Sequence, residues 1–422
     1  MKPDETKRFA LLGLFGCNNY GNDGSLEAVL GVLRNAWPDA HIACVCVDPA
    51  KIERDHHIAG ILINWPGFAN PVLEFLDEHT RKIPRRLMNV VRTIKEVRQY
   101  DAIIVPGTGI LCDYRADPFG AVYWIFRWCV AARLCGVKVC FVNVGAGPIE
   151  RPLSRWMLKQ AARAASYRSF RDSFSKDFVA GLGVDTSGDH VYPDIAFRLP
   201  FPRTPPRALP AGQPATVGVG VMWYDGWQGQ RHPDNTIYET YLSEVGRFVL
   251  WLLGRGHPVR LLVGESTDEA VVNDLKDRLG KTGGQAIAGA NLVAEPIHSL
   301  RDLMREIAQT DIVVASRYHN VVCALKLGRP TISVGYSVKH DQLMEQVGLG
   351  RFCLHIERFD FNGIAEQFLE IADNRTMFEN LIADRVLEFQ HRLEQQERIL
   401  LQQIVPVESH PVVNLGVEKK LV

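Results

Sequence analysis

An arginine, a tyrosine and a histidine stand side by side in the stretch ASRYHN, Ala315 to Asn320, between the apolar run DIVV and the helix-like VVCALKLG. In open parallel sheets, ligands bind beyond the carboxyl ends of the strands, so polar side chains placed there point into a crevice. Arg317 supplies a permanent positive charge, and His319 exchanges a proton near neutral pH. The helix that follows directs free amides and a partial positive charge at the same point. Together they describe an anion site with an acid or base beside it. Ser316, Tyr318 and Asn320 of the same turn are candidate substrate-binding residues. Lys339, in GYSVKHDQ, ends the next strand at the same edge. It is a second candidate for a phosphate, with an exposed surface lysine as the plain alternative.

Other stretches bring glycine to strand ends. GLFGCNNYGNDGSLEAVL follows the first apolar run and leads into a helix, which Asn22 or Asp23 would cap. Its glycines allow backbone to approach a ligand closely, and Asn19 and Asp23 are candidates for holding one. VPGTGILCDY contributes Gly107, Gly109 and Asp113, and VNVGAGPI adds a third turn. Neither GxGxxG nor GxxxxGK[ST] is present in the first loop; LGKTGG near Lys281 has Leu275 where the first glycine would stand. In YRSFRDSFSKDF, Arg168 and Arg171 lie three apart around a strand end, where a guanidinium matches a carboxylate or phosphate in bidentate geometry. A surface ion pair with Asp172 is the competing meaning.

These turns need elements to hold them. FALLGLF, HIACVCV, DAIIVPG and KVCFVNVG read as buried strands, separated by helices from about Ser25 to Ala36 and Phe119 to Cys135. That spacing implies parallel βαβ units. FPRTPPRALPAGQPA is dense in proline and reads as a linker. A second alternation follows: TVGVGVMW, VRLLVG, DIVVAS and PTISVGY, with helices near Ile237–Arg255, Asp268–Leu279 and Asn320–Leu327. The fold class is therefore α/β, with two doubly wound, Rossmann-like domains and a cleft between facing strand ends. The domains are 1–205, 206–375 and a helical segment with a loose tail over 376–422.

The 422 residues exceed the usual span of one core. Lys plus Arg and Asp plus Glu are both 48, so no global field favours nucleic acid. Nine cysteines without a CxxC pair read as reduced core residues of a cytoplasmic protein, Cys44 and Cys46 included. The N-terminal apolar run is short and is read as a strand rather than a signal peptide, and Arg127, Arg133 and Lys138 interrupt the most apolar long stretch. RKIPRRLMNVVRTIKEVRQY carries seven basic residues and one acid, with Ile83, Leu87, Val90, Val91, Ile94 and Val97 on one helical face. Such a helix either packs on its own sheet with a solvated basic face, the commoner meaning, or rests on an anionic membrane.

In order along the chain, GxFGxxNxGNDGSLEAVL, PGTGILxD, VGAGP, RDSFS, PDIAF and SRYHNVVCALKLGRPTISVGYSVKHDQLMEQVGL resemble the polysaccharide pyruvyl transferase family. The last block is the most specific. The resemblance implies a fold like the two-domain GT-B glycosyltransferases. It also implies transfer of pyruvate from phosphoenolpyruvate to a sugar as a carboxyethylidene ketal, in bacterial exopolysaccharide or cell-surface glycan synthesis. Arg317 and His319 fall on family residues associated with phosphoenolpyruvate, and Lys339 on its Y-x-x-K block. The acceptor is a sugar, lipid-linked or free, and the site lies in the cytoplasm or at the inner face of the plasma membrane. The chemistry requires no cofactor beyond its donor and no metal, and no DxD motif occurs. Two departures, Asn22-Asp23 and Pro106-Gly107-Thr108-Gly109, lie on the acceptor side. A GT-B nucleotide-sugar glycosyltransferase is the alternative, although Lys326 stands where such enzymes hold the ribose with Glu. A non-catalytic sugar-binding component is the third reading.

Overall fold

The structure, a computed structural model, describes residues 6–80, 82–113, 117–201, 213–226, 235–284 and 291–404. Most of the proline-rich segment read as a linker, and the C-terminal tail, lie outside the described residues.

Seven strands form the first sheet: β1 (Arg8–Leu12), β2 (His41–Cys46), β3 (Ala59–Leu62), β4 (Ala102–Pro106), β5 (Lys138–Val144), β6 (Tyr167–Phe170) and β7 (His190–Val191). Their order is β3-β2-β1-β4-β5-β6-β7, parallel throughout. Between them run α1 (Tyr20–Ala36), α2 (Pro49–His56), α3 (Pro71–His79), α4 (Ile83–Val97), α5 (Ala121–Leu134), α6 (Pro152–Ala164) and α7 (Ser173–Gly181). The second sheet holds β8 (Val217–Gly220), β9 (Val259–Leu262), β10 (Leu292–Val293), β11 (Ile312–Ala315), β12 (Thr331–Gly335) and β13 (Cys353–His355). Its order is β10-β9-β8-β11-β12-β13, again parallel. Its helices are α8 (Thr236–Gly254), α9 (Asp268–Leu279), α10 (Leu300–Ala308), α11 (Tyr318–Lys326) and α12 (Val338–Gln346), followed by α13 (Phe361–Asp373) and α14 (Arg375–Ile404).

In both sheets the strand order reverses beside the first strand, between β1 and β4 and between β8 and β11. Crevices open at such switch points. Alternate side chains of β1 serve different cores: Ala10 and Leu12 pack in a cluster confined to the first half, while Phe9 and Leu11 join a cluster continuous with the second. Covering a parallel sheet on both faces explains why its strands read as unbroken apolar runs.

α14 ties the halves. Its first residue, Arg375, pairs with Asp311 beside β11 at 3.5 Å. Farther along, Phe389 meets Phe197 edge to face at 5.1 Å, and the buried Gln396 amide donates to Asn143 and Ser169 of the first sheet. Arg392 and Lys138 add hydrogen bonds to the carbonyls of Val191 and Gln403.

Two local expectations are corrected. α1 begins at Tyr20 rather than near Ser25, because Asn19 is the cap and its side chain accepts from the amide of Asn22. Glycines read as loop therefore belong to its first turn. α4 packs with only the C-terminal end of the apolar face its periodicity offers, Ile94 and Val97. It buries Asn89, Thr93 and Val97 and leaves Ile83, Leu87, Val90 and Val91 exposed. The cause is polar: Asn89 accepts from the amide of Trp65, and Thr93 accepts from the buried Arg127 guanidinium. Among the described residues, no helix is long and apolar enough to cross a membrane.

Candidate active site

The carboxyl ends of the two sheets face one another and touch. Asn19 and Glu265 form an antiparallel bridge across the gap, and the Asn19 amide donates to the Glu265 carboxylate at 3.2 Å. Tyr20 donates its hydroxyl to the carbonyl of Ile297 at 2.7 Å, and Gln342 donates to Ser173 at 3.1 Å. What lies between is set by the first residues of α11, placed at the switch point by β11.

His319 occupies the second position of α11 and crosses to α1. A Cβ built on Gly21 would lie 1.9 Å from its Nδ1, so the ring rests directly on glycine backbone. Its Nε2 is buried without a hydrogen-bond partner. Burial, aided by the charges of Arg171, Lys339 and Arg317 and opposed by Asp194, pushes its pKa down to about 4. The imidazole is therefore neutral at pH 7.

Tyr318, the residue before it, stands between two cations brought from opposite halves. The Arg171 guanidinium lies 5.2 Å from the ring centroid and the Lys339 ammonium 5.1 Å. Arg171 follows β6, pairs with Asp172 at 3.3 Å and leans on Gly145, where a Cβ would sit 2.5 Å from its Nη2. Lys339 opens α12 and donates to the Tyr336 hydroxyl at 3.3 Å. Beneath it lies His340, which sequence reasoning passed over. It is fully buried, donates from Nε2 to the carbonyl of Ser316 at 3.1 Å, and so accepts at Nδ1 from Ser337 at 3.2 Å. Burial holds it well below the usual histidine range. Ser316 is locked further by the Tyr241 hydroxyl at 2.9 Å. Asn320 is also fully buried, its amide lacking a hydrogen-bond partner and wedged against Gly220 and Gly264, whose Cβ positions would each fall 2.7 Å away.

Arg317 points elsewhere. Its guanidinium is bidentate on Asp268, at 2.7 and 2.8 Å, and meets Glu265 at 3.0 Å. Burial disfavours its charge, but these carboxylates outweigh that and raise its pKa. The network runs on through Glu265 to Asn19, so Arg317 fixes α11 to α9 and, through Glu265 in the β9–α9 loop, to the opposite half. Asp268 and Glu265 are the partners that sequence reasoning missed. Nothing in the spacing announces them, since they follow β9 rather than β11.

The remaining candidates are spread wider. Arg168 grips Asp189 at 2.8 Å and the carbonyls of Ala162, Ala165 and Asp185, none of which belongs to the cluster. Asp23 accepts from the amide of Gly16 at 3.0 Å and pairs with Lys51, bracing the β1–α1 loop. Asp113 accepts from the amides of Glu150 and Arg151, tying the β4–α5 turn to the β5–α6 turn. Gly107 fits closely against Ile195 and the carbonyl of Asn143, and Gly109 lies in the same turn. The structure thus groups Arg171, Tyr318, His319 and Lys339 around one point between the sheets, while Asn320 packs beside Arg317 against Gly264. Asn19 and Arg317 stand at its edge, and Arg168, Asp23 and Asp113 lie in braces outside it. Among the described residues, no three His, Cys, Asp or Glu side chains could together hold a metal ion.

The His319 shift has a measurable sign. Between about pH 6.5 and 4 the unfolded chain takes up a proton that the native imidazole refuses, so native stability falls as pH falls through that window. Chemical denaturation across this range is expected to show the loss in wild type and a shallower slope in His319→Gln; equal slopes would place the titration elsewhere.

A family model described as polysaccharide pyruvyl transferase matches residues 19–338. No curated protein matches the chain in sequence. Among solved structures, the fold is similar to Anabaena HepE in complex with UDP, with TM-score 0.58 at 13% identity over 94% of this chain and 100% of that one. The UDP-GlcNAc 2-epimerase of Neisseria meningitidis bound to UDP-GlcNAc gives 0.59 at 10% identity, over 94% and 99%. A glycosyltransferase from Rickettsia africae gives 0.58 at 11%, over 95% and 98%. Likeness at such identities establishes the two-domain, Rossmann-like α/β architecture of GT-B glycosyltransferases and epimerases, as the sequence led one to expect, and nothing about ligand.

Proposed function

Since the chain belongs to the polysaccharide pyruvyl transferase family, we propose that it transfers pyruvate from phosphoenolpyruvate to a pair of sugar hydroxyls as a carboxyethylidene ketal in cytoplasmic synthesis of an exopolysaccharide or cell-surface glycan. The observation that carries this reading is the convergence of Arg171 and Lys339 on Tyr318, beside a neutral His319 whose Nε2 has no partner.

Phosphoenolpyruvate carries a carboxylate and a phosphate and needs two separated cations. Arg171 from the first half and Lys339 from the second meet that need, with the N-terminal amides of α11 beside them. The methylene carbon takes up a proton from water, which makes the central carbon electrophilic. A sugar hydroxyl adds to it and gives its proton to His319 Nε2, which passes it on to the hydroxide so formed. Phosphate then leaves, and a neighbouring hydroxyl closes the ring as its proton passes to the departing phosphate. Residues 1–205 form the acceptor side in this scheme, with Asn19 and the turn of Gly107 and Gly109 nearest the incoming sugar and Asp113 bracing that turn, and residues 206–375 the donor side. Asp23 and Arg168 support it from behind, and Ser316 and Asn320 shape the floor.

Scanning fluorimetry with phosphoenolpyruvate, alongside UDP and GDP sugars, tests the donor. Selective binding raises the melting temperature. The expected result is a shift with phosphoenolpyruvate that Lys339→Met diminishes, followed by phosphate release with a glycan acceptor that His319→Ala lowers by about 10²- to 10⁴-fold. A shift with a nucleotide sugar alone would replace this reading by a glycosyltransferase, and acceptor binding without phosphate release would replace it by a non-catalytic sugar-binding role.

A further inference from the structure

α3 and α4 as far as Val91 are built inside out, before Ile94 and Val97 turn into the core. Their polar side chains face the protein: Asp77 is fully buried, Thr93 is 1% exposed, and Arg85 inside the pair holds Glu74 and Asp77. Their large apolar side chains face solvent, with Val72 66%, Phe75 59% and Leu87 63% exposed, joined by Leu73, Leu76, Ile83, Met88 and Val91. Amphipathic helices of globular proteins turn the other way. Contiguous exposed apolar surface marks an interaction site.

Charge identifies the partner. With Glu74 and Asp77 consumed by Arg85, the exposed or half-exposed ions of this hairpin are Lys82, Arg86, Arg92, Lys95 and Arg98 against Glu78 and Glu96. A second copy of the same face would bring like charges together. An apolar face fringed by cations instead fits the boundary between acyl chains and anionic headgroups. We propose that the α3–α4 hairpin docks the protein on an anionic lipid bilayer, inserting Val72, Phe75, Leu76, Leu87 and Val91 while Lys82, Arg92 and Lys95 meet lipid phosphates. Arg86 stacks 3.8 Å from the ring centroid of Phe119, in the loop that leads from β4 to α5. Docking therefore sets Phe119, just before α5, beside the lipid surface. The surface lies outside the cleft and does not depend on which reaction the cleft performs.

Co-sedimentation of the full chain with lipid vesicles tests it. Vesicles containing phosphatidylglycerol are expected to carry the protein down, and pure phosphatidylcholine vesicles or raised salt to carry down at least about tenfold less, because the attraction of basic residues to the surface needs anionic headgroups and is screened by salt. The double variant Phe75→Glu/Leu87→Glu is expected to keep its melting temperature, because both side chains are exposed, and to lose vesicle binding. Wild type left in the supernatant, or a double variant that pellets equally, overturns the proposal. So does analytical ultracentrifugation showing lipid-free self-association that the double variant abolishes, which would assign the face to a second copy.

Discussion

Arg317→Ala is expected to lower the unfolding free energy by about 3–5 kcal/mol with no ligand present, the usual cost of stripping a partner from a buried ion pair. Asp268, fully buried, would lose the bidentate guanidinium that offsets its burial, and Glu265 would lose the contact that steadies it against Asn19. Denaturant titration measures the change. Adding Asp268→Asn should recover part of the loss, because the orphaned charge leaves with it. The family resemblance places Arg317 on phosphoenolpyruvate; the geometry has it hold α11 in position. If Arg317→Ala unfolds at the wild-type midpoint yet no longer responds to phosphoenolpyruvate, the guanidinium acts on the donor and the positional role is wrong.

Gly21→Ala is expected to reduce turnover as severely as loss of the imidazole itself, by about 10²- to 10⁴-fold, while the chain stays folded. The added methyl group would overlap Nδ1, Cε1 and Cγ of His319, all within 2.3 Å of the built Cβ, so the ring must swing out of the pocket. Gly21 has no left-handed backbone to protect, and alanine is about 1 kcal/mol the better helix former. The glycine is thus kept by the ring and not by the helix. In a double-mutant cycle with His319→Ala, the glycine substitution should add nothing further. Wild-type turnover in Gly21→Ala would show that the contact between α1 and His319 has no part in the reaction.

The contrast between these two sites shows how much was legible. Apolar runs gave the central strands, because strands covered on both faces leave an unbroken signal, and the ASRYHN turn was found because a strand end followed by a helix has a fixed meaning. Periodicity marked α4 as amphipathic but could not say which side packs. That was decided by Trp65 and Arg127, far off in sequence, which claim Asn89 and Thr93. The same blindness hid Asp268 behind Arg317. It also hid Gln396, which reads as one more polar residue in a charged helix yet is buried against Asn143 and Ser169. His340 stood next to a residue already singled out, and only burial distinguishes it. The early start of α1 was masked by glycines that serve neighbours: Gly21 admits His319, and Gly24 admits Leu300, whose Cδ2 would lie 2.4 Å from an added Cβ.

The last helix has a consequence for how the chain is made. On a ribosome adding about 5–20 residues per second, β5 emerges on the order of ten to fifty seconds before the first turn of α14. Throughout that interval Asn143 and Ser169 lack Gln396, and Phe197 lacks Phe389. The nascent first half must wait in water with an unfinished face, and its native packing is sealed only when α14 has been synthesised.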